Sequence, residues 1–124
     1  MDFNHFLTSY MPDPNIGSKI HFQNMIDQSI LAEKLGYSKV SIPEHHLINL
    51  LMMPSPLQMA VKIASLTKKI LISTSVAVLP LHDMRTYAGE VTTADILTEG
   101  RLILGVARGA FPWEMQKLGT PIKH

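Results

Sequence analysis

The residues best suited to chemistry in this chain stand in one run, Glu44-His45-His46. Histidine titrates near neutrality, so a histidine beside a carboxylate is a candidate general base or acid. Adjacent side chains on an extended segment point to opposite sides, so one imidazole is expected to face a cavity and the other to turn away. The competing structural role is a loop whose histidines hydrogen-bond backbone carbonyls. A metal site would need a further ligand, such as His82 or Asp83, and no HxH or HExxH spacing occurs. A second stretch, Gly105-Val106-Ala107-Arg108-Gly109, combines glycines that permit close backbone approach with an arginine able to meet a phosphate or carboxylate. The alternative for Arg108 is an ion pair with an acidic residue on a neighbouring loop. Phe111, Trp113 and Glu114 follow, and Met52 and Met53 lie in an apolar loop where they would line a pocket or cover other structure.

The hydrophobic pattern supplies the elements that must hold these groups. Asp2–Ser9 reads as a strand with Phe3, Phe6 and Leu7 as its bulk, followed by a turn-rich stretch of Pro12, Asp13, Pro14, Asn15 and Gly17. Phe22, Met25, Ile26, Ser29, Ile30 and Glu33 recur at helical spacing and predict a helix over Ile20–Leu35, stopped by Gly36. A second strand, Lys39–Pro43, ends at proline. Ser55 as N-cap and Pro56 at the first turn open a helix over Leu57–Lys68. Ile70–Leu79 is β-branched almost throughout, which predicts a strand buried on both faces. His82 and Asp83 open a third helix, Met84–Thr98, with Tyr87, Val91, Ala94 and Leu97 as its stripe. Gly100 ends it before a fourth strand, Arg101–Val106, and a last helical turn is expected around Trp113–Leu118.

Strands two to four begin near residues 39, 70 and 101, a repeat of about 31 residues. Strand–helix–strand alternation at that period means parallel strands with right-handed crossovers, an α/β fold. Neither the dinucleotide-binding glycine fingerprint after the first strand nor a phosphate-binding Walker loop is present, which weighs against the open doubly wound sheet. A (β/α)8 barrel needs eight units and about 250 residues. With about four βα units, residues 1–124 read as one domain, the N-terminal half of a TIM barrel, C-terminally incomplete. In either parallel fold, functional groups gather beyond the carboxyl ends of the strands. That rule brings Thr8, Ser9 and Tyr10, Glu44 to His46, Ser75, Val76, Pro80 and His82, and Ala107 to Gly109 to one end.

Composition narrows the class. The 124 residues are 46% hydrophobic with 11 basic against 10 acidic side chains, giving no footprint for nucleic acid or a membrane surface. Zero cysteines exclude disulfides, thiolate metal ligands and a thiol nucleophile. No apolar run approaches the roughly 20 residues of a membrane span, and the N-terminus lacks a signal-peptide pattern, so a cytoplasmic protein is expected. The charged fraction, 17%, falls below the usual ~25%, as though part of the surface expects a covering.

In order along the chain, AEKLGY (32–37), the strand ending in PEHH (43–46), VLPLHD (78–83), D-x-L-x-x-GR (95–101) and GVARG (105–109) resemble the N-terminal half of the luciferase-like, flavin-dependent monooxygenases. The opening NHFLTSYMP and the closing KLGTP (117–121) extend the similarity over essentially the whole chain. The resemblance implies a barrel oxidoreductase that binds reduced FMN, or the deazaflavin F420 of related enzymes, and uses O2 to oxidise a small organic substrate. It implies a flavin reductase as supplier of FMNH2, and a homo- or heterodimer. Position by position, His45 matches the catalytic base, and Glu44 and His46 its neighbours in the flavin cavity. Ser75 and Val76 match a flavin-facing pair joined by a non-prolyl cis peptide, Arg108 an arginine on the flavin-phosphate side, and Glu114 an acidic residue near the cavity. Ala107 stands where luciferase has a reactive cysteine, which argues against light emission. As a half-barrel, the chain is expected to turn over negligibly on its own. The alternatives are a non-catalytic flavin-binding or dimerising half-barrel of the same family, and a metal-dependent hydrolase using Glu44, His45, His46 and His82.

Overall fold

Side-chain alternation along short strands sorts the two faces of a parallel sheet in the structure, a computed structural model that describes residues 1–120. Among the described residues the strands are β1 (Asn4–Phe6), β2 (Lys39–Ile42), β3 (Leu71–Thr74), β4 (Ala77–Val78), β5 (Leu102–Ile103) and β6 (Val106–Ala107). The helices are α1 (Ser18–Lys34), α2 (Pro56–Ala64), α3 (Met84–Leu97) and α4 (Pro112–Lys117). The main sheet runs β1-β2-β3-β5, all parallel, and β4 pairs with β6 in a second, two-stranded sheet. Val40, Ile42 and Ile72 point toward the helices and are fully buried with Leu7, Met25, Ile26 and Ile63 in the principal core. On the other face the register lines up Phe6, Ser41, Ser73 and Ile103. The two outer members of that row, Phe6 and Ile103, are exposed.

Two expected strands are interrupted where the site begins. The reading of Ile70–Leu79 as one strand is corrected: β3 ends at Thr74, the Ser75–Val76 peptide is cis, and pairing resumes at β4. Arg101–Val106 divides likewise into β5 and β6. The cause lies in Thr74, whose Oγ1 donates to the Gly105 carbonyl at 2.8 Å and accepts from the Gly105 N–H at 2.9 Å. A side chain thus takes the place of ladder partners. The two backbones approach so closely that a Cβ at position 105 would stand 2.3 Å from the Thr74 carbonyl oxygen, so only glycine fits. β3 is buried on both faces from Ile72 to Thr74, Ser73 on the side away from the helices included, and only its first residue, Leu71, stays exposed.

The remaining differences are local. The first strand shortens to β1, although Leu7 N–H still donates to the Ser41 carbonyl at 2.9 Å. The second helix stops at Ala64 rather than Lys68, because the chain tightens there to i→i−3 bonds, from Leu66 N–H to the Ile63 carbonyl and from Thr67 N–H to the Ala64 carbonyl. Ser55 precedes α2, with Pro56 in its first turn, but its hydroxyl makes no capping bond. Asp83 does cap α3, accepting from Arg85 N–H at 3.0 Å. In the α3 stripe Leu97 is exposed, one residue before the helix unwinds at Thr98. The final residue of the KLGTP motif, Pro121, lies outside the described residues.

The amino-terminal ends of the strands are tied by two charged side chains. Glu33, near the end of α1, accepts the N–H groups of Lys68, Lys69 and Ile70 at 2.8–3.0 Å, fixing the turn into β3. Burial acts to raise its carboxyl, but the three N–H donors outweigh that and hold it below its ordinary range. Arg101, just before β5, is buried and donates to the carbonyls of Ala64, Thr67, Ile70 and Thr98 and to Thr67 Oγ1. It closes the carboxyl ends of α2 and α3, where helices leave carbonyls without partners.

Candidate functional site

At the other end of the sheet β2 stops at Pro43, and the next three residues leave the ladder together. Their loop is pinned by backbone bonds from His45 N–H to the Met53 carbonyl and from Met52 N–H to the Ser9 carbonyl, both 2.9 Å. The apolar stretch 47–54 therefore folds back against the segment after β1, and Met53 is buried in the core.

Glu44 is the hub of the cluster and is 2% exposed. Its Oε1 lies 2.7 Å from His46 Nε2 and 2.8 Å from His82 Nε2, and its Oε2 accepts the Val78 N–H at 2.7 Å. Burial pushes this carboxyl up. The hydrogen bond from His46, the Val78 N–H and the positive character of both histidines more than offset that and hold it below its ordinary range. An ionised Glu44 accepts only, so each Nε2 carries the proton of its hydrogen bond. His46 is raised by its hydrogen bond to Glu44, against the opposing effect of burial, with the Glu44 and Glu114 charges adding to the rise.

Glu114, on α4, is also buried. Its Oε1 accepts the His46 backbone N–H, and its Oε2 lies 3.9 Å from His45 Nδ1. That distance is too long for a hydrogen bond, and the buried Nδ1 has no partner among the described residues. The Phe111 ring sits 5.6 Å from the His45 ring. Behind Glu44, the His82 ring stacks on Tyr87 with centroids 4.0 Å apart. Burial, followed by the charges of Glu44 and Glu90, pushes the Tyr87 hydroxyl up to about 12, and that buried hydroxyl also lacks a partner.

Of the residues singled out by sequence, Glu44, His45, Ser75, Val76 and Glu114 line one cavity of about 230 Å³, with Val78 and Phe111 among its apolar walls. His46 is turned away from that lining onto Glu44. Arg108 is exposed and lies outside it. No three His, Asp or Glu side chains among the described residues converge as metal ligands would. The Nε2 atoms of His46 and His82 are directed onto Glu44 instead. A larger groove of about 870 Å³ between α2 and α3 carries Glu90 as its one charged group and lies away from the strand ends. Sequence reasoning missed the attachment of His82 to Glu44 and the stacking of Tyr87. Thirty-eight residues separate Glu44 from His82, beyond any helical or strand period, and the available signal was that both follow carboxyl ends of adjacent strands. No helix among the described residues is long and apolar enough to cross a membrane.

The chain is similar to known proteins over its whole length. A family model described as luciferase-like monooxygenase matches residues 1–124. The uncharacterised protein y4vJ of Sinorhizobium fredii is 35% identical over 98% of this chain and 35% of its own length. The oxygenase component of the flavin-dependent trigonelline monooxygenase of Acinetobacter baylyi is 31% identical over 78% of this chain and 27% of its own. Among solved structures, the oxygenating constituent of 3,6-diketocamphane monooxygenase of Pseudomonas putida, in complex with FMN, superposes with a TM-score of 0.89 at 24% identity. That match covers 96% of this chain and 32% of that one, and it shows a shared fold. The chain spans about a third of the length of the relatives it matches, and its parallel α/β architecture corresponds to part of their barrel.

Proposed function

The chain belongs to the luciferase-like monooxygenases, and from that premise we propose that it supplies one wall of a reduced-flavin site where O2 oxidises a small organic substrate, with His45 as catalytic base. On this reading residues 1–124 form the amino-terminal half of one barrel domain. The observation that carries it is the convergence of Glu44, His45, Ser75, Val76 and Glu114 on one cavity beyond the carboxyl ends of parallel strands. The residues present fit a flavin. Val76, Val78, Ala110 and Phe111 offer an apolar surface to a planar ring, and His45, whose buried Nδ1 has no partner among the described residues, lines the same cavity. The cavity is smaller than the roughly 300–1,000 Å³ of complete ligand pockets, so these residues hold part of the cofactor. Arg108, exposed beside Gly109, is the residue assigned to the phosphate side.

When bound, the reduced flavin supplies the electrons that activate O2. The chain's own groups manage the proton. A proton taken at His45 leaves an imidazolium, and the Glu114 carboxylate 3.9 Å from Nδ1 stabilises that charge. Glu114 also holds the His46 backbone, so the base and its counter-charge are fixed by one side chain. The wider reading includes a flavin reductase, supported by the description of the Acinetobacter relative as an oxygenase component, and a dimeric assembly.

Titration of the purified protein with FMN and with F420, oxidised and reduced, tests the proposal. Micromolar FMN binding is expected, with negligible turnover by these 124 residues alone. Failure to bind either cofactor in any state overturns the flavin reading. Steady oxygenase activity from these residues alone overturns the need for further walls, and sedimentation in the same buffer reads the assembly state.

A further inference from the structure

We infer that His82 is a positioning residue of this site: it and His46 grip the same carboxylate oxygen of Glu44, so the three side chains take up a proton as one unit rather than as two separate rings. The geometry is specific. Both Nε2 atoms approach Oε1, at 2.7 and 2.8 Å, while Oε2 is held by the Val78 N–H. Three donors from three segments fix the carboxylate in rotation. Without His82, Oε1 keeps one donor, and the orientation that holds His46 is released on that side.

Sharing one oxygen also makes the histidines competitors. An imidazolium at either position neutralises much of the Glu44 charge and makes the second protonation unfavourable. The surrounding groups leave that competition intact. On the His46 side stand Glu114, bound to the His46 backbone N–H, and the neighbouring His45. On the His82 side, α3 presents Tyr87 and Glu90, while Asp83 is already paired with Arg85 at the surface. β4 contributes only a backbone N–H. A small cavity of about 60 Å³ lined by Ser55, Gln58, His82, Tyr87 and Glu90 has room for one or two waters beside the unpartnered Tyr87 hydroxyl, roughly 30 Å³ each. Both imidazoles keep a solvent-exposed edge, about a fifth of each side chain, while Glu44 between them has none.

The inference rests on the proposed function only in treating the cluster as a proton-handling site, and its test is made without cofactor. Side-chain 15N NMR follows His46 and His82 across pH 4–9 in the native protein and in His82→Gln, which keeps an N–H donor near the Nε2 position but does not titrate. In the native protein both rings are expected to show two inflections at shared pH values. In H82Q, His46 is expected to lose the lower inflection and keep a single one close to the upper native value, about 1 pH unit or more above the one lost, the order expected for like charges this close. Single, independent inflections in the native protein overturn the inference, and that measurement decides the matter alone if H82Q does not fold. A folded H82Q with lowered stability and an unmoved His46 curve reduces His82 to a structural residue and also overturns it. Failure of flavin binding leaves the titrations untouched, so the two proposals fail separately.

Discussion

At the amino-terminal end of the sheet, Arg101 and Glu33 are satisfied almost wholly by backbone carbonyls and N–H groups, whereas at the carboxyl-terminal end Glu44 and Glu114 face histidines. Both ends bury charge, and both need hydrogen bonds to do so. Backbone partners have one protonation state, so the first end can only hold a shape. Imidazole partners change state near neutral pH, so the second can hold a shape and also exchange a proton. Two of the unpartnered atoms among the described residues belong to the site. His45 Nδ1 and the Tyr87 hydroxyl are buried without partners at the carboxyl end, while every Arg101 nitrogen donates.

If that contrast is right, the largest loss of stability comes from the end without chemistry. Arg101→Met leaves the carbonyls closing α2 and α3 without their donor, and a loss of about 3–4 kcal/mol is expected in urea unfolding, with an unchanged denaturant slope. The His46 titration should not move. A shifted His46 curve would join the two ends into one network and break the comparison.

The seam between the ends is the next test. Gly105→Ala drives a Cβ to 2.3 Å from a backbone carbonyl that cannot give way as a side-chain tip would. About 1–3 kcal/mol of stability should be lost. Because the displaced strand carries Ala107 and Gly109 in the cavity wall, flavin affinity should fall with it. Loss of stability with full affinity would show the cavity to be independent of the seam.

How far the sequence foretold this division differs by residue. The strand repeat, Pro43, Asp83 and the glycines after the helices act through neighbours in sequence, so they were legible. Gly105 was legible as a point of close approach, but what approaches it is the Thr74 carbonyl rather than a ligand. Thr74 itself looked like any strand residue, because the break it makes depends on a partner 31 residues away. Arg101 was visible as the first residue of a strand and the end of the D-x-L-x-x-GR motif, but its structural role was not, since its acceptors are mostly carbonyls, which every residue has. In the site, Glu44-His45-His46 was conspicuous and His82 could be placed at the same end, but its bond to Glu44 was not legible, because that bond exists only once β2 and β3 pair in register.

The pH dependence separates the ends more finely. Glu44 and Glu33 both titrate below their ordinary value of 4.5, so each contributes stability above that pH that is lost as pH falls through the folded value. The acid limb thus belongs to both ends. His46 titrates above its ordinary 6.5, so its contribution is complete below that pH and lost as pH rises through the folded value. The alkaline limb from these three groups belongs to the site alone, and their joint contribution is greatest between about pH 4.5 and 6.5. Glu44→Gln should cost about 1–2 kcal/mol near pH 6 and flatten the alkaline limb while leaving the Glu33 part of the acid limb. Urea midpoints measured from pH 3 to 9 read both changes, and an alkaline limb that persists in E44Q would assign it to a group outside the cluster.

The smallest stability change is expected at the residue with the largest proposed role. His45 Nδ1 makes no hydrogen bond, so His45→Leu removes a buried polar atom that had no partner and keeps most of the ring's apolar contact with Phe111. The unfolding free energy should change by no more than about 0.5 kcal/mol in either direction. If His45 is the base, oxidation by a flavin-loaded assembly that supplies the remaining walls of the barrel should nonetheless fall by about a hundredfold or more, the scale of a lost general base. Arg101 shows the reverse pattern, with stability lost and the titration of the site unmoved. A loss above about 1.5 kcal/mol in H45L with activity retained would make His45 a packing residue, and the difference between the ends would then be one of hydrogen-bond partners without a difference in chemistry.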